Sequence, residues 1–177
     1  MKHFNVGCLL SRNDDRTYIY FQLRSNSKKD FPNLLDITAA GHLLSHETIY
    51  EGIREVEEEL GIGVTFNDLV SLGIIKNSIK HADFIDNEFC HVFLLEANLT
   101  MEEFKPQVEE VAGILKAEFN HFSDLWSGKR NEIRVEGFVL DKAGERVLID
   151  KFVERRHFVP YEETYFQVVI EKISEKV

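Results

Sequence analysis

A chain of 177 residues, 44% of them hydrophobic and 29% charged, has the make-up of a water-soluble globular protein, long enough to bury a real core in a single domain over residues 1–177. Its formal net charge of -10 argues against nucleic acid or anionic membrane as a general partner. Only Cys8 and Cys90 occur, without metal-type spacing, and no apolar run reaches signal-peptide or membrane-spanning length, so the expected location is a reducing cytoplasm.

Taken in order, Val6 to Leu10 and Thr17 to Leu23 read as strands joined by the polar turn Arg12-Asn13-Asp14-Asp15. A basic loop from Arg24 to Asp30 closes on Phe31-Pro32, and Leu34 to Thr38 leads into Ala39-Ala40-Gly41, where small residues permit close backbone approach. Thr48 to Leu60 is expected to be a helix. Thr48 and Glu51 form a capping box at its start, and Gly61 suits the left-handed position past its end. Leu69 to Lys76 and Glu88 to Leu95 read as further strands, and Met101 to Glu110 as a loop. Gly113 to Phe119 reads as a strand and Phe122 to Trp126 as the start of a short helix or turn. Glu132 to Leu140 and Arg146 to Phe152 suggest a hairpin about Asp141 to Gly144. Pro160 opens a last helix whose buried side carries Tyr161, Tyr165, Val168, Val169 and Ile173. Strands before and after one patterned helix, with another helix at the end, imply a mixed sheet with helices on both faces.

The central helix is the most informative stretch. Its residues advance about 100° each, which puts Ile49, Ile53, Val56 and Leu60 on one apolar stripe. Glu51, Glu55, Glu58 and Glu59 then gather on the far side, while Glu57 points elsewhere. Like charges three and four apart destabilise a helix by a few tenths of a kcal/mol per pair, a cost that a divalent cation reverses. Hard cations such as Mg2+ take oxygen ligands, so carboxylates of one helix suit one. The bland alternative is an ordinary solvated acidic face.

These residues resemble the signature of the Nudix hydrolases, Gly-x5-Glu-x7-Arg-Glu-U-x-Glu-Glu-x-Gly-U with U aliphatic. Gly41 and Glu47 match its first part, and Arg54-Glu55-Val56-Glu57-Glu58-Glu59-Leu60-Gly61-Ile62 matches its second at every fixed position. One residue is missing between Glu47 and Arg54, so counting back from Arg54 places the glycine on Ala40 and the glutamate on His46. Arg24, Lys28, Phe31-Pro32, Gly41-His42 and Asp86 to Cys90 are similar to the branch that includes isopentenyl-diphosphate isomerases. Its catalytic cysteine precedes the Gly-His pair, and here that position is Ala40.

The resemblance implies an α+β fold, an α/β/α sandwich with a mixed sheet between helices. It implies a Mg2+-dependent pyrophosphohydrolase, with Mn2+ as the alternative ion, cleaving a nucleoside diphosphate linked to a further group X. Glu55, Glu58 and Glu59 would bind the metal and Arg54 would orient a glutamate. Arg24 and Lys28 would hold the diphosphate. Glu88, Glu109 and Glu110 are the candidates for the general base, with Glu88 put among the catalytic residues, and the roles of His42 and Glu47 stay open. His3, His46, His81, His121 and His157 read as structural, and Trp126, Tyr161, Tyr165 and Phe166 as core. A homodimer is the default assembly. The competing readings are a nucleotide-sugar sensor without catalysis and the isomerase itself, which Ala40 disfavours.

Overall fold

The computed structural model describes residues 2–13, 16–44, 46–80 and 85–176, with side chains for all of these except 2–10, 12–13, 80, 85–86 and 163. The turn residues Asp14 and Asp15 and the histidine His81 lie outside the described residues. One nine-stranded sheet carries strands β1 (Lys2–Asn13), β2 (Arg16–Arg24), β3 (Leu35–Ile37), β4 (Ala39–His42), β5 (Leu69–Lys80), β6 (Ile85–Glu96), β7 (Val111–Glu118), β8 (Glu132–Leu140) and β9 (Arg146–Glu154). The order is β5-β6-β1-β2-β7-β8-β9, with β3 on β2 and β4 on β1. Pairing is parallel between β1 and β6 and antiparallel elsewhere, so the sheet is mixed as expected.

The helices are α1 (Arg54–Leu60), α2 (Phe119–Trp126) and α3 (Glu163–Ser174). Successive side chains of a strand point to opposite faces, and β2 shows what each face buries. Tyr20 packs in a cluster with Val56 and Leu60 of α1, whereas Ile19 and Phe21 pack with Phe122 of α2 and Phe166 of α3. Fully burying a large apolar side chain contributes roughly 1.5–3 kcal/mol, so each face anchors its own helices. The result is the expected α+β sandwich. Trp126, Tyr161, Tyr165 and Phe166 are buried in the α2–α3 cluster, as core residues. Among the described residues no helix is long and apolar enough to cross a membrane.

Strand β1 is longer than the sequence reading, running through Arg12 and Asn13, and Phe119 opens α2 where it was expected to end a strand; three further differences bear on the site. The acidic helix begins at Arg54, not Thr48. Thr48 does meet Glu51, donating its backbone N–H at 2.7 Å and its hydroxyl at 2.9 Å to the carboxylate. A 3-10 turn over Glu51–Ile53 follows, and Gly52 is a poor helix former at that point. The last helix begins at Glu163, not Pro160, and ahead of it the Tyr161 N–H donates to the Val159 carbonyl at 2.8 Å and the Glu162 N–H to Asn77 Oδ1 at 3.2 Å. Finally, Leu34 to Gly41 is two short strands. β1 pairs with β2 only from Leu10↔Ile19 to Asn13↔Arg16. Where the two part, β4 fills in against β1 (His3↔His42 to Val6↔Ala39) and β3 against β2 (Phe21↔Ile37 to Leu23↔Leu35). This split in the sheet positions the site.

Candidate active site

Strand β4 lies against α1, and its alternation divides it between two environments. Ala39 is buried in the α1 cluster, and Gly41 faces Glu55. A Cβ on Gly41 would lie 1.9 Å from Glu55 Cδ and 2.2 and 2.3 Å from its two carboxylate oxygens, so the carboxylate rests directly on the bare backbone. Ala40 and His42 instead line a cavity of about 620 Å3, together with Arg24, Lys28, Asp36, Glu88, Glu110 and Tyr161 among others. The bare backbone that Glu55 rests on is therefore at Gly41.

Glu47 stays in register with the cluster despite the shorter turn. Arg54 Nε and Nη2 donate to its two oxygens at 3.0 and 3.2 Å, and the Leu44 N–H donates to Oε2 at 2.7 Å. The Arg54 hydrogen bond holds the Glu47 carboxyl below the usual carboxylate range. Arg54 Nη1 also reaches Glu55 Oε1 at 2.7 Å and Glu58 Oε2 at 3.0 Å. One planar guanidinium thus spans three glutamates, and its own pKa is raised, first by the hydrogen bond to Glu47. An ammonium cannot reproduce that fork. Arg54→Lys is expected to lower kcat by about tenfold or more and leave the secondary structure intact, as measured by turnover beside circular dichroism.

Glu59 departs from the expected single acidic ridge. It is 4% exposed and turned into the sheet, where Gln22 Nε2 and the Ala40 N–H both donate to its Oε2 at 2.9 and 2.8 Å. Burial pushes its carboxyl up to about 8, against the lowering effect of those two hydrogen bonds. Glu55 is also raised, chiefly by burial, with Glu58 and Glu47 adding to the shift. The Glu58 carboxylate, by contrast, is 49% exposed.

On the cavity side, Arg24 Nη1 meets Asp36 Oδ2 at 2.8 Å, while its Nε and Nη2 donate to the Asp30 carbonyl at 3.2 and 2.9 Å. Lys28 pairs with Glu110. Glu88, 5% exposed, accepts from Asn77 Nδ2 at 3.2 Å and has His42 Nε2 at 3.5 Å from Oε1. Glu109 lines the same cavity. The basic pair and all three choices of base therefore share one space.

Residues 1–138 match the family model for the NUDIX domain. The chain belongs to the Nudix family. It is 32% identical over 174 residues to an uncharacterised Nudix hydrolase of Clostridium acetobutylicum, covering 98% of this chain and 84% of that protein. An isopentenyl-diphosphate Delta-isomerase of Mycolicibacterium vanbaalenii is 28% identical over 120 residues, 67% of this chain and 64% of that one. In fold, a MutT/nudix family protein from Enterococcus faecalis superposes with a TM-score of 0.59 at 14% identity, over 98% of this chain and 61% of the other. As a Nudix hydrolase the protein acts on phosphoanhydride bonds.

Nudix hydrolases use divalent metal ions. Among the described residues no three His, Cys, Asp or Glu side chains converge closely enough to enclose an ion. Glu58 is drawn out to Arg54 and Glu59 inward to Gln22. What the cluster does offer is carboxylate oxygen alone, the chemistry of hard cations. Burial raises both carboxyls, with Glu58 and Glu47 adding to the rise at Glu55 and Asp36 and Glu55 to that at Glu59, so the acidic groups beside bare Gly41 are costly to ionise without a cation. Three contributors were not singled out as site residues from the sequence. Gln22, Asp36 and Tyr161 are polar side chains inside apolar strands or next to a helix start, and only their contacts reveal them.

Proposed function

We propose that this Nudix hydrolase cleaves a nucleoside diphosphate linked to a further moiety X, or a related diphosphate, with Mg2+ or Mn2+ held by Glu55, Glu58 and Glu59. The observation that carries the reading is the glutamate cluster clamped by Arg54 next to a cavity walled by Arg24 and Lys28. A bound divalent ion supplies charge neutralisation at the phosphate oxygens and a more acidic water. The protein's own groups do the rest. Arg54 keeps Glu47, Glu55 and Glu58 in fixed relative positions. Arg24 and Lys28 offer charge-assisted donors to the diphosphate oxygens, and Glu110 is the counter-ion that Lys28 exchanges for phosphate. Glu88, buried at the cavity wall, takes the proton from the attacking water.

Incubation with a panel of nucleoside diphosphate derivatives and Mg2+ or Mn2+, read by released phosphate products, tests the reading. Hydrolysis of at least one member is expected, and a chain that binds a nucleotide sugar without cleaving any would instead be a sensor. Glu88→Gln is expected to lower kcat by about a hundredfold with KM little changed. Unchanged kcat would move the base to Glu109 or Glu110, both on the same cavity.

The isomerase reading is the weaker one. Ala40 lines the cavity where that branch has its cysteine, and Cys90, 0% exposed, is packed in the core beside Glu88. We further place the protein in the cytoplasm as one domain, working on a small diphosphate without nucleic acid or membrane, and as a homodimer.

A further inference from the structure

The family match ends at residue 138, yet part of the cavity wall comes from residues beyond it. After β9 the chain makes a 3-10 turn over Arg155–His157 and then runs beside β3. Phe158 forms a parallel bridge with Leu35, and the Val159 N–H donates to the Leu35 carbonyl at 2.8 Å. That register brings Tyr161 against Asp36. The Tyr161 hydroxyl donates to Asp36 Oδ1 at 2.6 Å, and the Ile37 N–H donates to the same oxygen at 2.8 Å. The other oxygen of Asp36 is the one that holds Arg24, at 2.8 Å.

Asp36 is 2% exposed, so its carboxylate has no solvent to fall back on and is fixed from both ends. These contacts engage three of the five N–H groups of the Arg24 guanidinium, counting those to the Asp30 carbonyl. The next residue makes a second connection. The Glu162 N–H donates to Asn77 Oδ1 at 3.2 Å, which obliges the amide to present its Nδ2 on the other side. That nitrogen donates to Glu88 Oε2 at 3.2 Å.

We propose that residues 158–162 are the positioning element of the diphosphate site, with Tyr161 setting Arg24 through Asp36 and the Glu162 backbone setting Glu88 through Asn77. The proposal rests on the reading of this cavity as a diphosphate site. Tyr161 and Asn77 are positioning residues: each acts through a partner that faces the substrate. The segment therefore governs how tightly a diphosphate is held, and its exchange for another sequence would alter substrate choice without touching the acidic helix.

A double-mutant cycle on the full chain tests this, with inorganic pyrophosphate as the probe, titrated calorimetrically without metal. Arg24→Ala is expected to weaken binding by about tenfold or more, and Tyr161→Phe, which removes one hydroxyl and keeps the ring, by about three- to tenfold. Combined, they should be no weaker than Arg24→Ala alone, because the hydroxyl acts only through that arginine. On the diphosphate found by substrate screening, Tyr161→Phe should raise KM by the same factor and change kcat less. Asn77→Ala should do the reverse, lowering kcat with pyrophosphate affinity held within about twofold. If Tyr161→Phe binds pyrophosphate like the wild type, or its loss adds to that of Arg24→Ala, the first connection is wrong. Unchanged kcat in Asn77→Ala overturns the second. If Arg24→Ala itself binds normally, the cavity is not the diphosphate site, and both the proposal and the reading beneath it fall.

Discussion

Glu59→Gln is expected to abolish turnover and, in the metal-free protein, to raise stability at pH 8. The two effects have opposite signs for one physical reason. The buried Glu59 carboxyl titrates near 8 in the folded chain, against 4.5 when exposed. Below pH 4.5 it is protonated in both states and costs nothing. As pH rises from 4.5 towards 8 the unfolded chain ionises first, so folding stability is lost over that window and the loss is complete above 8. The full effect is no more than about 5 kcal/mol, since one pKa unit corresponds to about 1.4 kcal/mol. Glutamine never ionises, and its oxygen can accept the same bonds from Gln22 and Ala40 that Glu59 Oε2 accepts now. Denaturant midpoints of the chelated proteins at pH 5 and pH 8 measure this. The wild type should fall between the two and Glu59→Gln should not. Added Mg2+ should restore the wild type at pH 8 and leave the variant unmoved, because a metal ligand must be deprotonated to bind. Turnover of the variant should be lower by about a hundredfold or more. A variant with full activity would remove Glu59 from the metal site.

What the sequence revealed of this site was local. The glutamate spacing, the Thr48–Glu51 contact and the left-handed Gly61, with φ 66°, all depend on residues within one or two turns of each other. The β8–β9 hairpin was legible for the same reason: two strand-like runs lie close in sequence about Asp141 to Gly144, and Gly144 sits in the turn, also at positive φ. The site's supporting contacts are not local. Gln22 meets Glu59 across 37 positions, Asn77 meets Glu162 across 85, and Tyr161 meets Asp36 across 125. No pattern along the chain marks a polar residue whose partner is so distant. Tyr161 reads as one more apolar face residue, and it is buried as such; its hydroxyl is what the pattern conceals. Glu59 was misplaced for a different reason. A helix of one face assigns residues by angle alone, but α1 is only 7 residues long and lies close enough to β4 that a side chain beside its apolar stripe enters the sheet.

The register of the motif comes down to one backbone position, and Gly41→Ala tests it with the second large effect. Counting back from Arg54 would make residue 40 the essential glycine, yet the space is needed at residue 41, where a methyl group would overlap the Glu55 carboxylate at 1.9 Å. Gly41 pairs with Phe4 in the ladder between β1 and β4, and its φ is not positive, so alanine suits the backbone. The clash therefore falls on the far end of a flexible side chain, which can swing aside at a cost of roughly 0.5–1.5 kcal/mol. Folding is expected to survive, with a melting temperature shifted by only a few degrees. The displaced carboxylate leaves its contact with Arg54 Nη1 at 2.7 Å and its place on the strand, so turnover should fall by about ten- to a hundredfold. Gly63→Ala is the control, because nothing lies within 4 Å of a Cβ there and activity should be unchanged. Ala40→Gly should also leave turnover near wild type, since Ala40 serves Glu59 through its N–H, which glycine retains. A fully active Gly41→Ala would mean that Glu55 does its work from another position than the one resting on β4.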